Sequence, residues 1–82
     1  MVHGSVQGVF FRDSLRRLAK HHGVSGWARN TSEGTVEAVF EGEADAVERL
    51  VSFAHTGPSD ARVEAVDVHE EEPEDLSGFA IR

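Results

Sequence analysis

The chain has no cysteine among its 82 residues. That excludes disulfide staples, thiolate metal ligands and cysteine nucleophiles together, and leaves core packing to supply stability. Positive charge is also scarce, with eight Lys and Arg against fifteen Asp and Glu and a formal charge of −7. Nucleic acid and anionic lipid both draw on a surplus of Lys and Arg, so neither is an expected partner. No apolar run approaches the roughly 20 residues that cross a bilayer, and no charged stretch leading into an apolar signal core opens the chain. These absences predict a cytoplasmic, soluble protein with no membrane contact. Apolar residues are only 39% of the composition, and a chain of this length buries about 60% of its unfolded surface. The expectation is therefore a single domain over residues 1–82, monomeric and with a small core.

The positive charge that is present is unevenly placed. Residues 1–30 hold Arg12, Arg16, Arg17, Lys20 and Arg29 against Asp13 alone, a balance of +4, whereas residues 31–82 hold three Arg against fourteen acids, a balance of −11. An acidic chain with a basic opening third suits one small anionic ligand better than a polyanion.

Hydrophobic spacing orders the elements. Val2 before Gly4 and Gly8 reads as the end of a strand entering a loop. Phe11, Leu15, Leu18, Ala19 and His22 fall on one face of a helix, closed by Gly23 with Lys20, His21 and His22 in the last turn, where the helix dipole favours cations. Val24–Asn30 and Thr35–Glu41 alternate with period two around Thr31-Ser32-Glu33-Gly34 and predict a hairpin. Val47, Leu50, Val51 and Ala54 predict a second helix over about 43–55, ended by Gly57-Pro58. Arg62–Glu70 reads as a strand whose apolar phase changes between Val63/Ala65 and Val66/Val68, which means a bulge or an exposed Ala65. Glu70–Asp75, broken by Pro73, reads as a solvated turn, and Phe79–Arg82 as a short last strand. The order β-α-β-β-α-β plus a fifth strand predicts an α+β fold, a ferredoxin-like split β-α-β sandwich with an antiparallel sheet and both helices on one face.

The segment Gly4-Ser5-Val6-Gln7-Gly8-Val9-Phe10-Phe11-Arg12 joins the first strand to the first helix. Its glycines let the backbone curl so that successive N–H groups turn inward, and the helix start adds free donors and partial positive charge. Such a loop can cradle a phosphate, and Arg12 can add a two-pronged contact. Read from spacing alone, a tight strand-to-helix turn with a solvated Arg12 fits equally well. No Gly-Lys-Ser/Thr follows the second glycine, so this is not a Walker loop.

This segment, followed by Gly23-Val24-Ser25-Gly26-Trp27-Ala28-Arg29-Asn30 and by Gly34-Thr35-Val36-Glu37, resembles the two signature blocks of acylphosphatases, in their order and separation. The resemblance extends to the second helix, the fourth strand and Phe79-x-Ile81-Arg82. It implies hydrolysis of the carboxyl–phosphate bond of acyl phosphates, to a carboxylate and inorganic phosphate, with no cofactor and no metal. It assigns phosphate binding to Arg12 with the backbone N–H groups of Ser5, Val6, Gln7, Gly8, Val9 and Phe10, and positioning of the attacking water to Asn30. Two features depart from the pattern. Position 5 is Ser where a longer, often basic residue is common. Only Met1, Val2 and His3 precede the loop, so either Met1 marks a truncated or mis-assigned start, or a first strand this short forfeits ladder hydrogen bonds and apolar burial.

Two other readings use the same residues. A non-catalytic anion-binding module needs the loop and Arg12 but not Asn30. An RNA-binding sheet would stack bases on Trp27 and Phe40, yet Glu37 and Glu41 stand where basic neighbours are needed. Adjacent His21 and His22 point in different directions on a helix and do not form a metal pair. Asp67 and His69 share a strand face as surface neighbours.

Overall fold

In the computed structural model, which describes residues 1–82, the chain runs β1 (Val2–Ser5), α1 (Phe11–His22), β2 (Ser25–Asn30), β3 (Val36–Glu41), α2 (Ala44–Thr56), β4 (Arg62–Val66) and β5 (Phe79–Ile81). The sheet order is β4-β1-β3-β2-β5. Helix α1 buries Phe11, Leu15 and Ala19 on one stripe. It ends where Gly23 N–H reaches the Lys20 carbonyl at 3.4 Å and Val24 N–H reaches the Ala19 carbonyl at 2.8 Å, the paired bonds of a Schellman motif. Helix α2 buries Leu50 and Ala54. The helices meet through Phe11 and Phe53, whose ring centroids are 6.3 Å apart. Both helices cover the sheet face that carries Val2, Ala28, Val36 and Phe79, each buried. Completely buried Leu15 and Leu50 contribute about 1.5–3 kcal/mol each by leaving water.

The ferredoxin-like plan is present, with one correction to the all-antiparallel expectation: β5 runs parallel to β2 through Gly26↔Phe79, Trp27↔Ala80 and Ala28↔Ile81, so the sheet is mixed. The reason is the path of the chain. Strand β4 is antiparallel to β1 and ends opposite the start of β1, and the segment after it crosses at that same end to the far edge. A strand starting there runs opposite to β4, which is the sense of β2.

The phase change in β4 is a bulge. His3 pairs with Ala65 and Gly4 with Val63, leaving Glu64 unmatched, and Ala65 is exposed as well. Position 4 needs glycine because φ is +127° and a Cβ there would lie 2.1 Å from the Arg62 carbonyl oxygen.

Strand β4 stops at Val66 rather than Glu70. Its ladder extends one further step, where Met1 and Asp67 exchange backbone bonds of 3.0 Å. Strand β3 pairs with β2 along its whole length but with β1 only at Val36. Between Ala38–Glu41 and Val68–Glu72, in line with β1, lies an open groove of about 1160 Å³ floored by Val47, Val51 and Ala54. The Glu41 carboxylate reaches the segment past Pro73, accepting from the N–H groups of Glu74 and Leu76 at 2.6 Å each.

Candidate active site

The β1–α1 loop starts at Val6, two residues later than the sequence suggested. Ser5 is the last residue of β1, paired with Arg62. Val6 is anchored in the core. Gly8 then turns the chain with φ +74°, a conformation open to glycine at little cost. Phe10 takes φ +61° and ψ +25° at the helix N-cap and accepts the first helical bond, from Ser14 N–H at 2.9 Å. No side chain caps α1, so the first-turn N–H groups keep their donor capacity for a ligand.

Residues remote in sequence converge beside this turn. Gly8 and Phe10 of the loop, Phe11, Arg12 and Asp13 of the first helical turn, Asn30 at the end of β2 and Ile81 of β5 line one pocket of about 230 Å³ with Val6. Arg12 Nη1 lies 3.5 Å from the Arg82 carbonyl oxygen. That contact is long beside the roughly 2.7–2.9 Å of a charge-assisted bond to an anion. Arg12 is the one cation lining the pocket. Arg16 and Arg17 instead bind the two carboxylate oxygens of Asp13 at 2.5 and 3.0 Å, and Arg29 binds Glu37 across the hairpin at 2.6 Å. The pairing of Asp13 matters electrostatically, because its negative charge would otherwise stand unopposed in an anion pocket.

Ser5, Gln7 and Val9 do not line this pocket. Gln7 has another task. Its Nε2 donates to the Thr31 carbonyl at 2.8 Å and to the Thr35 carbonyl at 3.0 Å, tying the loop to the β2–β3 turn just past Asn30. The Thr31 and Thr35 hydroxyls bond each other at 2.7 Å. These bonds fix the turn and leave the Asn30 carboxamide out of the network. The role of the Gln7 side chain was not legible in the sequence, where only its backbone had a reason to be in the site. The one signal was an amide carrying two donors in a loop otherwise read for its backbone.

The aromatic pair that an RNA platform would need is divided between the faces of the sheet. Phe40 lies opposite Gly26 and stacks on Phe79 on the helix side, centroids 6.0 Å apart, whereas Trp27 lies opposite Val39 on the open side with the Arg82 guanidinium 4.5 Å above its ring. Asp67 pairs with His3 at 2.9 Å and not with His69.

The pocket brings a guanidinium, a carboxamide and an uncapped helix start together on a ferredoxin-like sandwich, a set of donors chemically suited to a small anion. The family model described as acylphosphatase matches residues 1–81. An acylphosphatase of Rubrobacter xylanophilus is 60% identical over 99% of this chain and 74% of that protein. The solved acylphosphatase of Coxiella burnetii superposes with a TM-score of 0.94 at 43% identity, over 99% of this chain and 85% of that one. That of Bacillus subtilis gives 0.93 at 30% identity, over 99% and 91%. The chain belongs to the acylphosphatase family, enzymes that hydrolyse acyl phosphates. No helix is long and apolar enough to cross a membrane.

Proposed function

We propose that this chain hydrolyses the carboxyl–phosphate bond with Arg12 and the loop N–H groups on the phosphoryl oxygens and Asn30 on the nucleophilic water. The observation that supports this reading is the convergence of Arg12, the turn at Gly8 to Phe10 and Asn30 on one 230 Å³ pocket. The roles follow from the reaction. Phosphoryl transfer places negative charge on three equatorial oxygens, with the attacking and leaving oxygens in line. Preorganised N–H donors and a guanidinium stabilise that charge without reorganising during the reaction. The Asn30 carbonyl oxygen accepts a hydrogen bond from the water and directs its lone pair at phosphorus. The P–O bond to the acyl group breaks as the water oxygen bonds to phosphorus, and the carboxylate departs with the bonding electrons. The water proton passes to a phosphoryl oxygen, and inorganic phosphate is released. A carboxylate is a good leaving group, so no strong general acid is required and an arginine and an amide suffice.

Ser5, which ends β1, has no part in this scheme beyond setting where the loop begins. The phosphate contacts fall to the N–H groups from Val6 to Phe10 and to Arg12, with Gln7 and Val9 contributing backbone only. Hydrolysis of benzoyl phosphate, with phenyl phosphate as the monoester control and a chelator present, tests the reading. Turnover of the acyl compound alone, unchanged by the chelator, is the expected result. Equal turnover of the monoester contradicts it.

A further inference from the structure

An acyl phosphate is a mixed anhydride, able to acylate amines and thiols, and this chain offers it few such groups. There is no Cys and no Tyr, and Lys20 is the single lysine among eight Lys and Arg. An arginine guanidinium stays protonated and binds an anion without attacking a carbonyl, whereas a lysine amine can lose its proton and act as a nucleophile. Arg12, the cation lining the pocket, is therefore of the kind that such a substrate leaves intact. Lys20 is the one side-chain amine left to react.

Its surroundings suit that reaction. Lys20 is exposed in the last turn of α1 and does not line the pocket. It lies eight residues beyond Arg12, about 12 Å along the helix axis. It forms no ion pair, whereas Arg16, Arg17 and Arg29 each do. Arg17 stands at i−3 and Arg16 at i−4, on the side of the helix that carries Lys20. Arg17 meets Asp13 through Nε, at 3.0 Å, and its side chain is 79% exposed, which leaves its Nη groups open to an anion. The Asp13 carboxylate offsets one of the two guanidinium charges, so a net positive charge remains beside the amine.

We infer that Lys20 is an acylation site at which acyl phosphates modify this enzyme, with Arg17 holding the phosphoryl group. The inference rests only on the substrate class of the hydrolytic reading, not on its mechanism. Nζ, in its neutral form, attacks the carbonyl carbon, and the bond from that carbon to the bridging oxygen breaks. Phosphate departs with the bonding electrons and takes up the proton that the nitrogen loses. In the pocket water attacks phosphorus, whereas here an amine attacks carbon, so one substrate is consumed by the breaking of two different bonds. The amide removes one of the five cations of residues 1–30, and with it part of the field that draws anions to this third of the chain.

Peptide mass spectrometry after incubation with benzoyl phosphate reads the modification, with N-acetyl-lysine amide as the ordinary amine. Arg12→Ala is treated alongside the wild type, because the reagent persists longer where hydrolysis is slow. At low salt Lys20 should be benzoylated about 5-fold faster than the free amine in both proteins, the effect of one charge about 4 Å away in water. The advantage should vanish near 1 M salt. Arg17→Ala should lose most of it, while an uncharged N-hydroxysuccinimide ester should acylate Lys20 equally in Arg17→Ala and wild type. Lys20→Arg should hydrolyse benzoyl phosphate at the wild-type rate and carry no benzoyl group on α1. An unmodified Lys20, or one no faster than the free amine, overturns the site and leaves the hydrolytic reading standing. Equal benzoylation in Arg17→Ala and wild type overturns the anchoring by Arg17. A wild type that is benzoylated at Lys20 but does not hydrolyse benzoyl phosphate supports the site and overturns the hydrolytic reading.

Discussion

The Gln7 side chain offers the clearest way to weigh a single group in this site. Its two bonds of 2.8 and 3.0 Å join the β1–α1 loop to the turn that follows Asn30, bridging 24 and 28 positions of sequence. A neutral bond contributes about 0.5–1.5 kcal/mol net. The penalty for stranded partners is small here. The Thr31 carbonyl still accepts from Gly34 N–H at 3.3 Å and the Thr35 carbonyl from Thr31 N–H at 2.9 Å, so neither oxygen is orphaned. Gln7→Ala should therefore cost about 1–2 kcal/mol. In a domain of this size that lowers the melting temperature by about 5–15 °C. Gln7→Glu keeps the shape but points a carboxylate oxygen at two carbonyls that need a donor, so it should cost more than alanine. Thermal or denaturant unfolding reads both variants, and inhibition by free phosphate reports whether the loop has loosened. Equal stability of Gln7→Glu and wild type at neutral pH would refute the donor geometry. A stable Gln7→Ala protein with unchanged phosphate inhibition would refute the tether.

Arg12→Ala removes a charge-assisted contact worth about 1.5–3 kcal/mol from both ground and transition states, so phosphate affinity and kcat/KM should fall together by about 10- to 100-fold. Unchanged inhibition by phosphate in that variant contradicts the assignment. The hydrogen bond from His3 holds the Asp67 carboxyl below its usual range. A depressed carboxyl adds stability above its unfolded pKa and loses it as pH falls through the folded value. The pair is exposed, so the effect of Asp67→Asn at neutral pH should be small, and its gap from wild type should narrow on acidification below about pH 4. A gap that widens there contradicts the linkage.

What could be read in the sequence was whatever depends on local periodicity. Phe11–His22 is the helix its apolar spacing and Gly23 predict, and the strands on either side of Thr31–Gly34 lie within a residue of their expected bounds, as does α2. Arg12, Gly8, Phe10 and Asn30 stood out because two motifs in register carry them, and in the fold they line one pocket. The differences all come from long-range pairing. Val68–Glu70 has the composition of a strand but no neighbour to bond. The parallel sense of β5 depends on the end at which the chain crosses the sheet. The partners of Gln7 are 24 and 28 residues away and that of Asp67 is 64 residues away, distances no local pattern spans.

The division of labour between Arg12 and Asn30 is the central claim, and Asn30→Ala measures it most directly. The amide is assigned to the water and not to the phosphate. Turnover of benzoyl phosphate should then fall about 100-fold, by analogy with the loss of one positioned polar group, while the inhibition constant for inorganic phosphate stays near that of the wild type. An Asn30→Ala protein with full turnover, or one that loses phosphate binding in proportion to turnover, would contradict the account.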